Sequence, residues 1–337
     1  MKVLRDASLK PYNTFGIDVK ASRLISVESV EDLKLLLKRN YAEELFILGG
    51  GSNMLFTHDL HSTVLQINLR GKEVVDEDED HVYIKANAGE NWHQFVLWTL
   101  DNGWGGLENL SLIPGNVGTS PIQNIGAYGV EIKDRFVSCE AIDIQTLEVL
   151  NFTAEDCEFG YRNSIFKNRA KGKYIVTSVI FRLSKKNHQL ITNYGTIEEW
   201  LREKEIENPG IKDISNAVIA IRSSKLPDPK KLGNSGSFFK NPVLSEKTFS
   251  AISQEFPEMP FYSVGEGKVK VPAGWLIEHA GLKGYREGDA GVHAKQALVL
   301  VNYGNASGLQ LLQLAQKVQE TVFKKFKIEL EPEVNIF

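Results

Sequence analysis

"ILGGGSNMLF", residues 47–56, ends an apolar run in three consecutive glycines, and the reason for those glycines decides the fold. Backbone without Cβ atoms can approach a ligand closely, and successive N–H groups in such a loop form a concave donor surface for a pyrophosphate. One Gly-rich loop alone commonly does no more than turn the chain. A second follows, however, in "LIPGNVGTSPIQNIGAYGVEI" (112–132), where Gly115, Gly118, Gly126 and Gly129 space small polar residues. Two such loops in one half of a chain favour a bound nucleotide. Neither spells GxGxxG, because Met54 stands where the third glycine would fall after Gly49 and Gly51, and GxxxxGK is absent. A standard dinucleotide fold and a P-loop are therefore unsupported, and other architecture must hold the pyrophosphate.

Around these loops the periodicity predicts alternating elements. "RLISV" (23–27) reads as a strand and "SVEDLKLLLKRN" (29–40) as a helix capped by Ser29, with positions 30, 33, 36 and 37 on its apolar face. "LFIL" (45–48) is a second strand, running straight into the glycines. Strands are expected at 63–69, 82–88, 136–143 and 174–183, with a helix over 91–103 opened by Asn91 and closed by Gly103. Beyond about 190 the pattern turns helical, with helices expected at 196–206, 213–222, 245–255, 273–280 and 306–326. "SSKLPDPKKLGNSG" (223–236) marks a boundary by its composition.

Composition narrows the class. The 337 residues are 42% apolar and 24% charged, enough for two or three compact units with a large core. The formal charge is −4, and the one acidic run, "VDEDED" at 75–80, is expected at the surface, so nothing points to nucleic acid. No apolar run is long enough for a membrane span, and the N-terminus lacks a secretory h-region, so the expectation is a cytoplasmic protein with no membrane partner. Cys139 and Cys157, the only cysteines, form no CxxC and are read as reduced structural thiols. His58 and His61, in an expected loop, lack a third ligand, so no metal is expected.

Eight segments in order carry a resemblance: "NTFGI" (13–17), "LGGGSN" (48–53), "GLENLSLIPGNVGTSPIQNIGAYGVE" (106–131), "FGYRNSIFK" (159–167), "KLPDP" (225–229), "GNSGSFFKNP" (233–242), "AGWLIE" (273–278) and "LEPEV" (330–334). Together they resemble the UDP-N-acetylenolpyruvoylglucosamine reductases, flavoenzymes that complete UDP-N-acetylmuramate for bacterial peptidoglycan. The resemblance implies an α+β chain: a two-subdomain FAD-binding fold of the vanillyl-alcohol-oxidase type plus a C-terminal α+β substrate-binding domain. The implied limits are 1–70 and 71–222 for the FAD subdomains, 223–327 for the substrate domain, and 328–337 for a C-terminal strand returning to the flavin site.

By the same carry-over, Gly50, Gly51, Ser52, Asn53, Gly115, Thr119, Ser120, Gln123, Asn124, Gly126 and Tyr128 are the implied FAD contacts. Ser52 stands directly after the glycines where related oxidases often carry a flavin-linking His, so the FAD is expected to be noncovalent. The implied reaction passes hydride from NADPH to flavin N5, then to the terminal carbon of the enolpyruvyl ether. Negative charge builds on the substrate carboxylate, and a dianionic enolate forms only where fixed positive charge or hydrogen bonds await it. Arg162 suits this because its planar fork pairs with a carboxylate through two bonds.

Such an enolate is basic enough to take a proton from a neutral hydroxyl, and Ser237 in "GNSGSFFKNP" is the implied donor, with Gly236 bringing it to the flavin and Phe238 and Phe239 excluding water. Glu333 in "LEPEV" either carries a proton or spends its charge orienting Arg162. The resemblance places Tyr194, Lys225 and Asn241 on the substrate diphosphate, and Gln296 on the pyrophosphate or uridine. Tyr262, in "FPEMPFYSVGEGKVKVPAGW", would be the tyrosine of a lid loop found in one subclass, folding over bound substrate. NADPH rather than NADH, and a monomer, are inherited expectations. A related flavin oxidase or an inactive nucleotide-sugar binder are the rivals, and both predict no NADPH oxidation that depends on the enolpyruvyl acceptor.

Overall fold

The computed structural model describes residues 2–39, 45–194, 196–265 and 267–337 and divides into two compact units. The first comprises Met1–Ala7, Ala21–Gly50 and Leu60–Ser224, the second Ser8–Lys20, Gly51–Asp59 and Lys225–Phe337. The division falls between Gly50 and Gly51, inside the glycine triplet.

In the first unit, one sheet orders its strands Val3–Ser8, Lys20–Val27, Leu60–Ile67, Leu45–Leu48. The last three run parallel, with Ile25 opposite Leu65 and Ile47 opposite Leu65 on the other side. Parallel strands need a crossover, and helix α1 (Val30–Lys38) begins that connection. Ser29 caps it by accepting a bond from the Asp32 N–H, and Leu33, Leu36 and Leu37 bury against Ile25, Val27 and Leu65. Position 40, the last of the expected helix, lies outside the described residues.

The second sheet of this unit is antiparallel, ordered Val149–Thr153, Phe136–Asp143, Tyr174–Ser184, His81–Asn87, Lys72–Glu77. Helix α2 (Trp92–Asp101) covers one face, capped by Asn91, with Gly103 at positive φ beyond its end. Trp92, Phe95 and Phe181 meet edge-on or tilted within about 6 Å, which fixes the helix on the sheet. The acidic run begins in the exposed outer strand of this sheet and continues into the bend after it, and charge on such an edge discourages pairing with a second chain; Lys185 pairs with Glu77 at 2.9 Å. Helices α3 (Ile197–Glu203) and α4 (Ile211–Lys225) share a separate apolar cluster, Ile197, Leu201, Ile214, Ala217 and Val218.

The second unit corrects the expectation of a helical C-terminal half. Helices α5 (Glu246–Ser253), α6 (Ala273–His279) and α7 (Gly308–Phe326) are present, but three sheets accompany them. The largest is antiparallel, ordered Gly233–Ser237, Val299–Asn302, Ala290–Val292, Arg286–Glu287. A second joins Val243–Ser245, Lys268–Lys270 and Tyr262–Ser263, and a third pairs Met54–Leu55 with Asn335–Ile336 in parallel. Strands of two to five residues are too short to show a period of two, which is why the pattern hid them. His61 likewise lies in the strand Leu60–Ile67, not in a loop.

Candidate active site

Ser237 closes a strand, not a loop. Gly233–Ser237 pairs with Val299–Asn302, but the register slips between Asn234 and Ser237, so one extra residue is accommodated. Gly236, at φ +72, absorbs the resulting kink, a conformation other residues enter only at a cost. The bulge re-aims Ser237 at the end of the strand, while Phe238 and Phe239 behind it are fully buried and meet edge-on at 5.1 Å.

Glu333 lies alongside, 96 positions later in the chain. Its N–H donates to the Phe238 carbonyl at 2.8 Å, Phe239 bridges Pro332, and Lys240 N–H donates to the Glu331 carbonyl at 2.9 Å. The same C-terminal segment is tied to the glycine triplet. Asn53 Nδ2 donates to the Glu333 carbonyl at 3.2 Å, and Asn335 N–H and Nδ2 donate to the Asn53 carbonyl at 3.2 and 3.0 Å. "NTFGI" supplies a further tie within this unit: Thr14 N–H donates to the Gly51 carbonyl, and Asn234 N–H donates to the Thr14 carbonyl. Thus Ser237, Glu333 and Asn53 are fastened to one another through backbone.

The other expected residues of this unit are placed less uniformly. Asn241 Oδ1 accepts the Ala273 N–H at the start of α6, which fixes the side chain with its NH₂ still able to donate to a ligand. Gln296 Oε1 accepts the Leu298 N–H inside its own turn. Lys225 is exposed at the end of α4. Tyr262 is exposed on an edge strand, paired with Lys270, so the expected lid segment carries a short hairpin of its own.

In the first unit, Arg162 adopts positive φ, and its Nη2 donates to the Gly126 carbonyl at 2.5 Å. Its segment is laced to the second Gly-rich stretch. Asn124 Nδ2 donates to the Gly160 carbonyl at 3.1 Å and to Glu131 Oε2 at 2.9 Å, and Ser164 Oγ donates to the Ile122 carbonyl at 2.7 Å. The buried Asn124 side chain, which also accepts the Lys133 N–H, is spent on this scaffold. Ser120 and Thr119 donate their hydroxyls to Val117 and Asn116 carbonyls. Gln123 and Gly126 lie on the same stretch, and Tyr128 packs edge-on against the exposed Tyr194 at 6.5 Å.

The donor set suits a phosphate-bearing cofactor unevenly. The N–H groups of Val117, Gly118, Thr119 and Ser120 all donate to protein carbonyls, so that turn is closed. Among the described residues, the N–H groups of Gly50 and Gly51 donate to nothing, which leaves a pair of donors in the first loop. Gly50 is glycine for a packing reason: a Cβ there would stand 2.8 Å from Gly115 Cα, so the two Gly-rich loops press backbone to backbone.

Sequence reading missed Arg222. It occupies the last turn of α4, its Nε is buried without a hydrogen-bond partner, and its charge reaches His93, Tyr128 and Arg162. Burial pushes Arg222 down, and pushes the Tyr128 phenol up against the opposing pull of Arg222. His93 is held below its ordinary range, chiefly by burial and then by Arg222; its Nδ1 accepts the Leu112 N–H at 3.0 Å. The signal was present in "IKDISNAVIAIR", where Ile211, Ser215, Val218 and Arg222 form one stripe that should be apolar to its end.

Comparison with known proteins defines the class first. Residues 21–152 match the FAD binding domain, and residues 228–337 match the C-terminal domain of UDP-N-acetylenolpyruvoylglucosamine reductase. The chain is thus an α+β flavoprotein oxidoreductase with a distinct C-terminal domain. UDP-N-acetylenolpyruvoylglucosamine reductase of Flavobacterium johnsoniae is 61% identical over 336 residues, covering 100% of both chains, and that of Chromobacterium violaceum is 51% identical over 332 residues, covering 97% of each. The crystal structure of the Thermus caldophilus reductase matches with a TM-score of 0.71 at 26% identity, covering 100% of this chain and 99% of that one. This chain belongs to the UDP-N-acetylenolpyruvoylglucosamine reductase family. Among the described residues, no helix is long and apolar enough to cross a membrane.

Proposed function

We propose that the protein reduces the enolpyruvyl ether of UDP-N-acetylglucosamine enolpyruvate to UDP-N-acetylmuramate with NADPH as reductant. The relatives' names support the substrate, and one observation supports the chemistry. Ser237 and Glu333, 96 residues apart, are joined by the Glu333–Phe238 hydrogen bond next to the Asn53 anchor of the glycine triplet. A bound FAD, held noncovalently, supplies a two-electron hydride relay from NADPH to the enolpyruvyl terminal carbon.

The chain's own residues do the rest. Gly50 and Gly51 offer the open backbone donors that a cofactor pyrophosphate needs, with Ser52, Asn53, Gly115, Thr119, Ser120, Gln123, Asn124, Gly126 and Tyr128 as further cofactor contacts. Arg162 pairs with the substrate carboxylate and takes up the charge that develops as hydride arrives, a gain available only to a preorganised cation. Glu333 assists in holding that charge. Ser237 delivers a proton to C2, and the buried Phe238 and Phe239 keep bulk water from that step. Tyr194, Lys225, Asn241 and Gln296 hold the UDP portion, and Tyr262 closes over it. The division at 1–70, 71–222, 223–327 and 328–337 belongs to the same reading, and the separate sheets within the first 222 residues support its first two members.

The purified protein should be yellow and should oxidise NADPH only when UDP-N-acetylglucosamine enolpyruvate is present. Oxidation independent of that acceptor would favour an oxidase, and none at all an inactive binder.

A further inference from the structure

The second Gly-rich stretch is gripped by the N-terminal end of α2. Trp92 N–H donates to the Gly115 carbonyl at 3.0 Å, Trp92 Nε1 to the Leu110 carbonyl at 2.9 Å, and Val117 N–H to the Glu90 carbonyl at 2.9 Å. A fourth bond, from Leu112 N–H to His93 Nδ1 at 3.0 Å, differs in kind. It is made where the backbone is least comfortable, because Leu112 sits at φ +58, a left-handed conformation that a residue with a side chain enters only at a cost. It is also the one bond of the four whose acceptor takes a proton near neutral pH. An Nδ1 that accepts is bare, so the neutral ring carries its proton on Nε2, and a second proton on Nδ1 would set a donor against a donor. Three residues further on is Gly115, whose Cα leaves no room for a Cβ on Gly50, the glycine that offers an open N–H.

We infer that His93 is a positioning residue for the cofactor: its bare Nδ1 holds Leu112 in the strained conformation, keeps Gly115 seated on Gly50, and so sets how tightly FAD is retained. This rests on the FAD reading given under Proposed function. The surroundings favour the neutral ring. Burial disfavours the imidazolium first, and then Arg222, reaching it from α4, opposes a second cation. Glu90, just ahead of α2, spends its carboxylate on the Gly71 N–H and on Lys72, and residues 110–115 bring no charge. With the loop released, the ring titrates near the ordinary value of about 6.5. The released loop therefore binds a proton that the held loop refuses, and acid favours release. FAD affinity should be level above about pH 6.5, fall by up to about tenfold per pH unit below it, and level off again beneath the lowered value of the held ring.

The test dilutes the holoenzyme from about pH 5 to 8, reads released FAD by its fluorescence, and records the thermal midpoint alongside, for wild type, His93→Gln and His93→Leu. The Gln variant offers an amide oxygen that accepts but takes no proton at these pH values, so it should hold FAD within about threefold of wild type at neutral pH and lose the acid decline. The Leu variant leaves the Leu112 N–H without an acceptor and should weaken FAD binding roughly 10- to 100-fold at every pH. Should either variant fail to fold, the wild-type profile still decides, because it needs no substitution. A wild-type affinity that stays level throughout, or an acid decline that survives in the Gln variant, overturns the proposal. So does a Leu variant that melts earlier yet releases FAD no more readily than wild type, which would make His93 a packing residue only. Wild-type protein that binds no FAD at any pH would instead defeat the underlying cofactor reading.

Discussion

Under the proposed function, Ser237 owes its chemical value to its position one residue past a kink. The hydroxyl itself is ordinary, so removing it should affect one step alone. Ser237→Ala is expected to leave reduction of the flavin by NADPH nearly intact and to slow reduction of the enolpyruvyl acceptor by more than the usual ~10²–10⁴ of an acid–base group, because no other donor is assigned there. Stopped-flow measurement of the two half-reactions separates these, and an unaltered second half-reaction removes Ser237 from the mechanism. Arg162 differs, since its planar fork also anchors on the Gly126 carbonyl. Arg162→Lys keeps the charge but loses the fork, and kcat/KM should fall roughly 10- to 100-fold, the worth of one charged hydrogen bond. Both residues are proposed only through their motifs, because a lone Ser or Arg carries no signature. Arg222, which the sequence reading missed, left a trace there as the charge that ends the stripe of Ile211, Ser215 and Val218.

At the scale of elements, the long periodic segments were readable and the short ones were not. Ser29 and Asn91 begin α1 and α2 as their capping chemistry requires, and Gly103 follows α2 at positive φ. The strand Gly233–Ser237 escaped because "GNSGS" has no apolar alternation, and its pairing comes from Val299–Asn302, far along the chain. Its bulge glycine and the last glycine of the triplet make a useful contrast. Gly51 sits at φ +63 with a hypothetical Cβ only 1.9 Å from the Tyr12 carbonyl oxygen, whereas Gly236 sits at φ +72 with nothing within 4 Å. Gly236→Ala should cost about 1–2 kcal/mol of backbone strain and still fold. Gly51→Ala must also displace backbone, so it should lower the thermal midpoint much further and reduce FAD content. Equal losses in calorimetry would mean that strain alone, not the close approach to Tyr12, makes Gly51 a glycine.

For the whole molecule, two half-buried histidines set an acid limit that no surface charge count would suggest. His93, in the first unit, is held low by burial and by Arg222, and His293, in the second, by burial and by Lys295, with its Nδ1 buried and unpartnered. In the unfolded chain both titrate near the ordinary value of about 6.5. Above that pH they are neutral in either state and cost nothing. Below it the unfolded chain binds protons that the folded chain refuses, so stability falls with pH through that value and levels off below the lowered folded pKa values. Exposed carboxylates held low by backbone N–H bonds, such as Asp78 and Asp156, act only nearer pH 4. Denaturant titrations between pH 5 and 8 should therefore show stability declining below about 6.5, with proton uptake on unfolding. His93→Gln keeps an acceptor within reach of the Leu112 N–H, and paired with His293→Gln it should flatten that decline while leaving the fall near pH 4 in place. A double variant with the wild-type slope between pH 5 and 7 would place the acid sensitivity elsewhere.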